Sequence, residues 1–331
     1  MIYKQTKKGK KSKKEKRRSF RTKKKKVVVL EVKPKYSEKY MKSKEGEYFE
    51  AKHYKGNIID YDCDCYKIVD GKRSLLLKFR KNVLPNNLCK IGMTNLKKAA
   101  MKTHDNRGAS AGVINLSKLP TYANQNTQFE GKVEKFRING YRSKITGKWV
   151  NNSFGNISKS NIIGYFDKRD RNLGINAPPC RTTAFTSQQV DKWNNVLPLI
   201  KSIDTQFKRL VPKNYKIQFD RCNQTKFNIK DTAFSTVTIN HNWQTALHKD
   251  AGDLKEGFGN LVVLEDGEYK GGYTGFPQYG VAVNVRNGDF LAMDVHEWHS
   301  NTKLIPVTKD YSRLSMVCYL RENMIKCKNL T

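Results

Sequence analysis

Five short segments in the last third of the chain leave little choice of architecture. After Lys213 come "AFSTVTIN", "GNLVVLE", "GVAVNV", "DFLAMDV" and "RLSMVCYL", each rich in β-branched or aromatic residues and split from the next by Gly, Asn or Asp. Such runs predict strands. Many short strands at this spacing predict an antiparallel sandwich or barrel, jelly-roll type included. One strong helix stands before them, in "TSQQVDKWNNVLPLIKSIDTQFKRL". Thr186 and Gln189 form a capping-box pattern. Val190, Trp193, Leu197, Ile200, Ile203 and Phe207 then fall at helical spacing and predict a core face. Pro198 interrupts the pattern, which predicts a kink or two consecutive helices. The class is therefore α+β with an all-β core.

The opposite end is built differently. Residues 4–26 are mostly basic, bury nothing and repel one another, so residues 1–26 are expected to be a disordered tail. Its functional reading is a phosphate-binding arm or a nuclear localisation signal; its bland reading is a solubilising tail. Residues 27–180 mix short apolar runs with Asn, Gly, Lys and Ser, with strand candidates at "KVVVLEV" and "SLLLKF". They are read as the N-terminal part of the same domain, carrying substrate-side loops, and residues 181–331 as its catalytic core. The 64 Lys+Arg against 30 Asp+Glu give a formal charge of +34. That excess speaks of a polyanionic partner, and nucleic acid is the commonest. No apolar run approaches the ~20 residues of a membrane span. The N-terminus has no signal-peptide h-region, so an intracellular protein is expected, nuclear if the host is a eukaryote. The seven cysteines, scattered and odd in number, are expected to be reduced thiols. The pair in "DCDC" lacks the spacing of a zinc clip.

Within the strand region, "TALHKDAGD" places His248 and Asp250 two apart. On a strand, both would face the same side. "GDFLAMDVHEWHSNT" then supplies His296 and His299, and "YSRLSMVCYL" supplies Arg313 and Ser315. Two histidines and one carboxylate on adjoining strands form the facial triad of a non-haem Fe(II) centre, leaving three positions open. Either later histidine could complete it, and on a regular strand the two would face opposite sides. A dicarboxylic 2-oxo acid can chelate such an iron, and its far carboxylate needs a planar, permanently charged fork. Arg313 provides one, with Ser315 on the same face.

These motifs, with "RTTAFT", "TAFSTVTIN" and "SRLSMVCYLRENM", make residues 181–324 resemble the TET/JBP family of Fe(II)/2-oxoglutarate nucleic-acid oxygenases. "NRGASAG" at 106–112 and "NIIGYFD" at 161–167 look like family segments too. The resemblance implies a double-stranded β-helix, Fe(II) as metal, 2-oxoglutarate and O₂ as co-substrates, and oxidation of the 5-methyl group of thymine or 5-methylcytosine in DNA to hydroxymethyl. It places the distal ligand at His299 and the oxoglutarate arginine at Arg313. One algal branch is similar around its H-x-D and uses ascorbate, which stands as the alternative co-substrate. Asp253 occupies the position of an asparagine that helps read cytosine in animal TET enzymes. Tyr319 matches a family tyrosine beside the base, and Arg321 replaces a histidine. Arg107, in "NRGASAG", is a candidate phosphate or base contact. Asp253 is equally a turn residue after Gly252, and the 106–112 segment equally a surface turn.

A base inside a duplex cannot reach a buried iron, so the target is expected single-stranded or flipped out. A monomer with no membrane partner is expected. Two rivals stand beside this reading. A protein side-chain hydroxylase would share the triad but needs no basic surface. A nucleic-acid-binding relic would keep the charge and lose a ligand.

Overall fold

The computed structural model describes residues 26–119, 127–128, 132–167 and 180–327. The expected basic tail, apart from Lys26, lies outside the described residues. The strands run in chain order as β1 (Val28–Val32), β2 (Ile58–Ile59), β3 (Cys63–Val69), β4 (Lys72–Arg80), β5 (Thr103–His104), β6 (Thr127–Gln128) and β7 (Lys132–Val133). Next come β8 (Ile138–Ser143), β9 (Trp149–Phe154), β10 (Ser158–Phe166), β11 (Arg181–Thr182), β12 (Thr236–His241), β13 (Gly259–Asp266) and β14 (Tyr269–Gly271). The last are β15 (Thr274–Phe276), β16 (Val281–Val283), β17 (Phe290–Met293), β18 (Ser300–Asn301), β19 (Leu304–Pro306) and β20 (Ser312–Tyr319). The α-helices are α1 (Glu38–Ser43), α2 (Asn86–Ala100), α3 (Ala184–Gln188), α4 (Val190–Leu210) and α5 (Pro212–Cys222).

A ten-stranded sheet in the order β1-β3-β4-β17-β13-β20-β12-β10-β11, with β5 also on β10, forms the middle layer. Its pairings are antiparallel except β1 with β3. It takes strands from both sides of residue 180, so the N-terminal part and the core share one sheet. On one face lie α2 and α4, whose Met93, Leu96, Trp193, Leu199, Ile203 and Phe207 pack on Val262, Phe290, Leu314 and Met316. On the other face sits the four-stranded sheet β18-β15-β16-β2. Phe276, Val281 and Val283 of this sheet close a second core with Cys63, Cys65, Phe79, Leu261 and Leu291. The neighbours in "DCDC" are therefore apolar packing, with both thiols buried and pushed up by burial, Cys63 to about 11 and Cys65 to about 12.

Strand β20 joins the layers through the alternation of a pleated strand. Leu314, Met316 and Cys318 enter the helix-side core. Ser315, Val317 and Tyr319 line a cavity on the opposite face.

Three expectations change. Thr186 and Gln189 do not cap the long helix: Thr186 lies within α3, where its hydroxyl accepts the Gly164 N–H at 2.8 Å. Pro198 does not divide α4, which is continuous from Val190 to Leu210. The carbonyl that Pro198 deprives of a partner belongs to Asn194, and both residues face solvent, where water can satisfy it. The cysteines are not all free. Cys180 and Cys327 are disulfide-bonded, with Cα atoms 6.2 Å apart, and pack with Met324, Tyr165 and Phe227. Among the described residues no helix is long and apolar enough to cross a membrane.

Candidate metal centre

His248 and Asp250 do not lie on a regular strand. They belong to an extended loop in which residue 248 makes a single bridge to residue 299. The His248 N–H donates to the His299 carbonyl and the His299 N–H to the His248 carbonyl, both at 3.0 Å. The Asp250 N–H donates to Val295 O, also at 3.0 Å. A reciprocally bonded pair puts both side chains on one face, and the two imidazoles lie with ring centroids 4.3 Å apart.

Each imidazole is oriented by its own backbone. His248 Nδ1 donates to Ala246 O at 2.8 Å, and His299 Nδ1 to Glu297 O at 2.9 Å. A carbonyl can only accept, so the proton sits on Nδ1 and Nε2 keeps its lone pair for a metal. The Nε2 atoms stand 3.5 and 3.9 Å from the two Asp250 carboxylate oxygens. One donor atom from each residue falls within 4.8 Å of the others. Burial lowers the His299 pKa to about 4, aided by His248, so the ring is neutral as a ligand must be. Burial alone would raise Asp250, but the adjoining His248 and His299 imidazoles hold its carboxyl down, to about 2. His296 is turned elsewhere, with Nε2 donating to Leu254 O at 3.1 Å.

The cluster borders a cavity of about 530 Å³ whose wall includes Arg107, Asn240, Asp253, Ser315, Tyr319 and Arg321. Arg313, two residues before Ser315, is fully buried. Its Nη2 donates to Gly272 O at 3.2 Å, and its Nε is buried with no partner. Among the described residues no carboxylate forms an ion pair with it. A buried guanidinium with an unspent donor fits the distal carboxylate of a dicarboxylic acid. Ser315 Oγ accepts from Asn240 Nδ2 at 3.2 Å, which leaves its hydroxyl proton for such a ligand. The Gly272 φ is +68°, and a Cβ there would lie 3.1 Å from Arg313 Nε and 2.6 Å from Leu304 Cδ2.

The other expected residues gather on the same wall. The Tyr319 hydroxyl shares a hydrogen bond with Thr238 Oγ1 at 3.0 Å. Burial raises the Asp253 carboxyl well above the usual range, and the charge of Asp250 adds to it. Residue 253 is no free turn, since it bridges to residue 321. Arg107 is half-buried, with its buried Nε unpartnered. Asp167, at the end of "NIIGYFD", was not singled out from the sequence. It accepts from Arg321 Nε at 2.5 Å and from Nη2 at 3.4 Å. The two lie 154 positions apart, and neither shows a local pattern that announces the pair.

Residues 161–322 match the family model Tet_JBP, described as the oxygenase domain of the 2OGFeDO superfamily. The chain is 34% identical over 220 residues to thymine dioxygenase JBP1-B of Trypanosoma cruzi (strain CL Brener), covering 66% of this chain and 25% of that protein. It is 37% identical over 171 residues to thymine dioxygenase JBP1 of Trypanosoma brucei brucei, covering 51% and 20%. It thus spans about a quarter or less of the length of these relatives. A solved structure of NgTET1 in complex with 5mC DNA is similar with a TM-score of 0.49 and 12% identity, over 92% of this chain and 84% of that one. Residues 161–322 are thus a Tet_JBP oxygenase domain of the 2OGFeDO superfamily.

Proposed function

We propose that the chain oxidises the 5-methyl group of a pyrimidine in DNA to 5-hydroxymethyl, with thymine as the favoured base. It uses Fe(II), 2-oxoglutarate and O₂, and releases succinate and CO₂. The observation that carries this reading is the convergence of His248 Nε2, His299 Nε2 and an Asp250 carboxylate oxygen beside a cavity, with Arg313 and Ser315 on one face of β20. The names of the curated relatives support thymine. We read the two facing sheets as a double-stranded β-helix and the protein as a monomer.

The residues divide the work. His248, Asp250 and His299 hold the metal, each imidazole aimed by its Nδ1–H bond to a carbonyl. Arg313 and Ser315 take the distal carboxylate of oxoglutarate. Bound iron, with oxoglutarate and O₂, supplies the oxidising power that replaces a methyl C–H with C–OH. The chain's part is to orient the methyl group and keep water from the site. Asp253, Tyr319 and Arg321 hold the flipped base, and Arg107 holds an anionic group of co-substrate or DNA. Extrusion of the base costs a few kcal/mol, which phosphate contacts from a basic surface offset.

The test is mass spectrometry of nucleosides after incubation with thymine-containing and 5-methylcytosine-containing DNA, with and without oxoglutarate. Hydroxymethyl product that requires oxoglutarate is expected. Product formed with ascorbate alone would move the co-substrate assignment, and no nucleoside product would sink the substrate reading.

A further inference from the structure

We propose that Arg321, fixed by Asp167, reads the 4-position of the target base and sets a preference for thymine over 5-methylcytosine. The proposal rests on the reading of the site as a 5-methylpyrimidine oxygenase and names the residues that choose between its two substrates.

In both bases C4 is bonded to C5, the carbon that bears the methyl group. With the methyl at the metal, the group that reads the 4-position must stand beside the metal ligands. Arg321 meets that condition. Residue 321 bridges to residue 253, three positions past Asp250. The flanking bonds, Leu254 N–H to Leu320 O and Glu322 N–H to Gly252 O, are both 2.9 Å, so this strip is tied down on either side. The guanidinium lies on the cavity wall, 4.9 Å from the centre of the Phe166 ring. Glycine at 252 gives it room, because a Cβ there would fall 2.9 Å from Arg321 Nη2.

Asp167 takes Nε and one Nη2 proton and so sets the plane of the fork. The remaining N–H groups are donors with no capacity to accept. Thymine offers a carbonyl oxygen at C4, which accepts. 5-Methylcytosine offers an amine, which donates, so two donors would meet in a buried place and one would stay unsatisfied. The neighbours do not discriminate in this way. The Tyr319 hydroxyl both donates and accepts, and the Asp253 carboxyl can accept from either base, from the amine of 5-methylcytosine or from the N3–H of thymine. Arg107 is donor-only as well, but its Nε has no partner to fix its plane. Asp167 is thus a positioning residue and Arg321 the discriminating one.

The experiment sets duplex oligonucleotides with thymine or 5-methylcytosine at one target position in competition for the iron- and oxoglutarate-loaded full chain. Binding of the same duplexes is ranked separately under anaerobic conditions, where no turnover occurs. The wild type is expected to favour thymine in both measurements. Arg321→His is expected to lower the thymine-to-methylcytosine ratio about tenfold or more, the scale of one well-made base contact. Asp167→Asn, which leaves the arginine in place and frees its plane, is expected to lower the ratio less. Arg321→Lys keeps the charge without the fork, and serves if the histidine variant does not fold. A wild type that favours 5-methylcytosine, or a ratio unmoved in the variants, overturns the proposal and leaves the oxygenase reading standing. A wild type that oxidises neither base sinks the oxygenase reading, and the anaerobic ranking then decides the proposal alone: loss of thymine preference in Arg321→His supports it, and its persistence overturns it.

Discussion

His248 and His299 each donate one backbone hydrogen bond to the other, 51 positions apart in the chain, and this exchange sets their two imidazoles side by side. The candidate metal centre is thus a property of backbone pairing as much as of side-chain identity. His299→Ala is expected to abolish turnover and the weak visible charge-transfer band of the anaerobic iron–oxoglutarate complex. His296→Ala loses only a bond to Leu254 O, so it should keep the band at a stability cost of about 1 kcal/mol. A band that survives in the first variant and vanishes in the second would reassign the ligand.

Arg313→Ala is expected to raise the oxoglutarate requirement by ~2–4 kcal/mol, the cost of truncating one partner of a buried charge pair. Arg313→Lys should recover only part, because an ammonium cannot reproduce the planar fork. The oxoglutarate KM of each variant checks this, and an unchanged value in the alanine variant would reject the assignment.

Gly272→Ala reaches the same subsite without touching a charged group. The added methyl would meet Leu304 and Arg313 Nε, on a backbone whose positive φ disfavours it. The expected result is a higher oxoglutarate KM with the DNA affinity retained. Equal kinetics in variant and wild type would show that Arg313 does not depend on that carbonyl turn.

The Cys180–Cys327 link closes a loop of 147 positions. Cys327→Ser, or reductant added to the wild type, is expected to lower stability by about 2–4 kcal/mol. Thermal unfolding with and without reductant measures it. Identical curves for oxidised and reduced wild type would mean that the cross-link contributes nothing in solution.

Deleting residues 1–26 should weaken DNA binding and flatten its dependence on salt, as expected when cations that contact phosphate are removed. Affinity titrated across salt concentrations separates this from a tail that only raises solubility, which would leave both slope and affinity alone.

How far the sequence could be read depends on the range over which each signal acts. The strands at "GNLVVLE" and "RLSMVCYL" were legible because alternation and β-branching act over a few residues. His248 and Asp250 with one later histidine were legible as a group because two imidazoles and a carboxylate answer a known coordination chemistry, while the choice of His299 over His296 came from the family resemblance and not from spacing. That His248 and Asp250 sit on a bridged loop was not, since the H-x-D spacing is the same in either setting. Thr186 looked like a cap because the local pattern is right; its hydroxyl instead serves Gly164, a partner that only the tertiary fold supplies. Pro198 looked like a break, but its lost bond falls on the wet side of α4. The Asp167–Arg321 and Cys180–Cys327 pairs join distant residues and left no periodic trace.

The alternation of β20 carries a liability for any evolving relative of this chain. Leu314, Met316 and Cys318 anchor the helices, while the odd-numbered residues between them furnish the chamber. Insertion or loss of a single amino acid within the strand would flip one part of it relative to the rest, presenting apolar side chains to the cavity and polar ones to the helix side. Chemistry and scaffold are phase-locked along these few positions, so drift in this strand can proceed by substitution but not by a change of length.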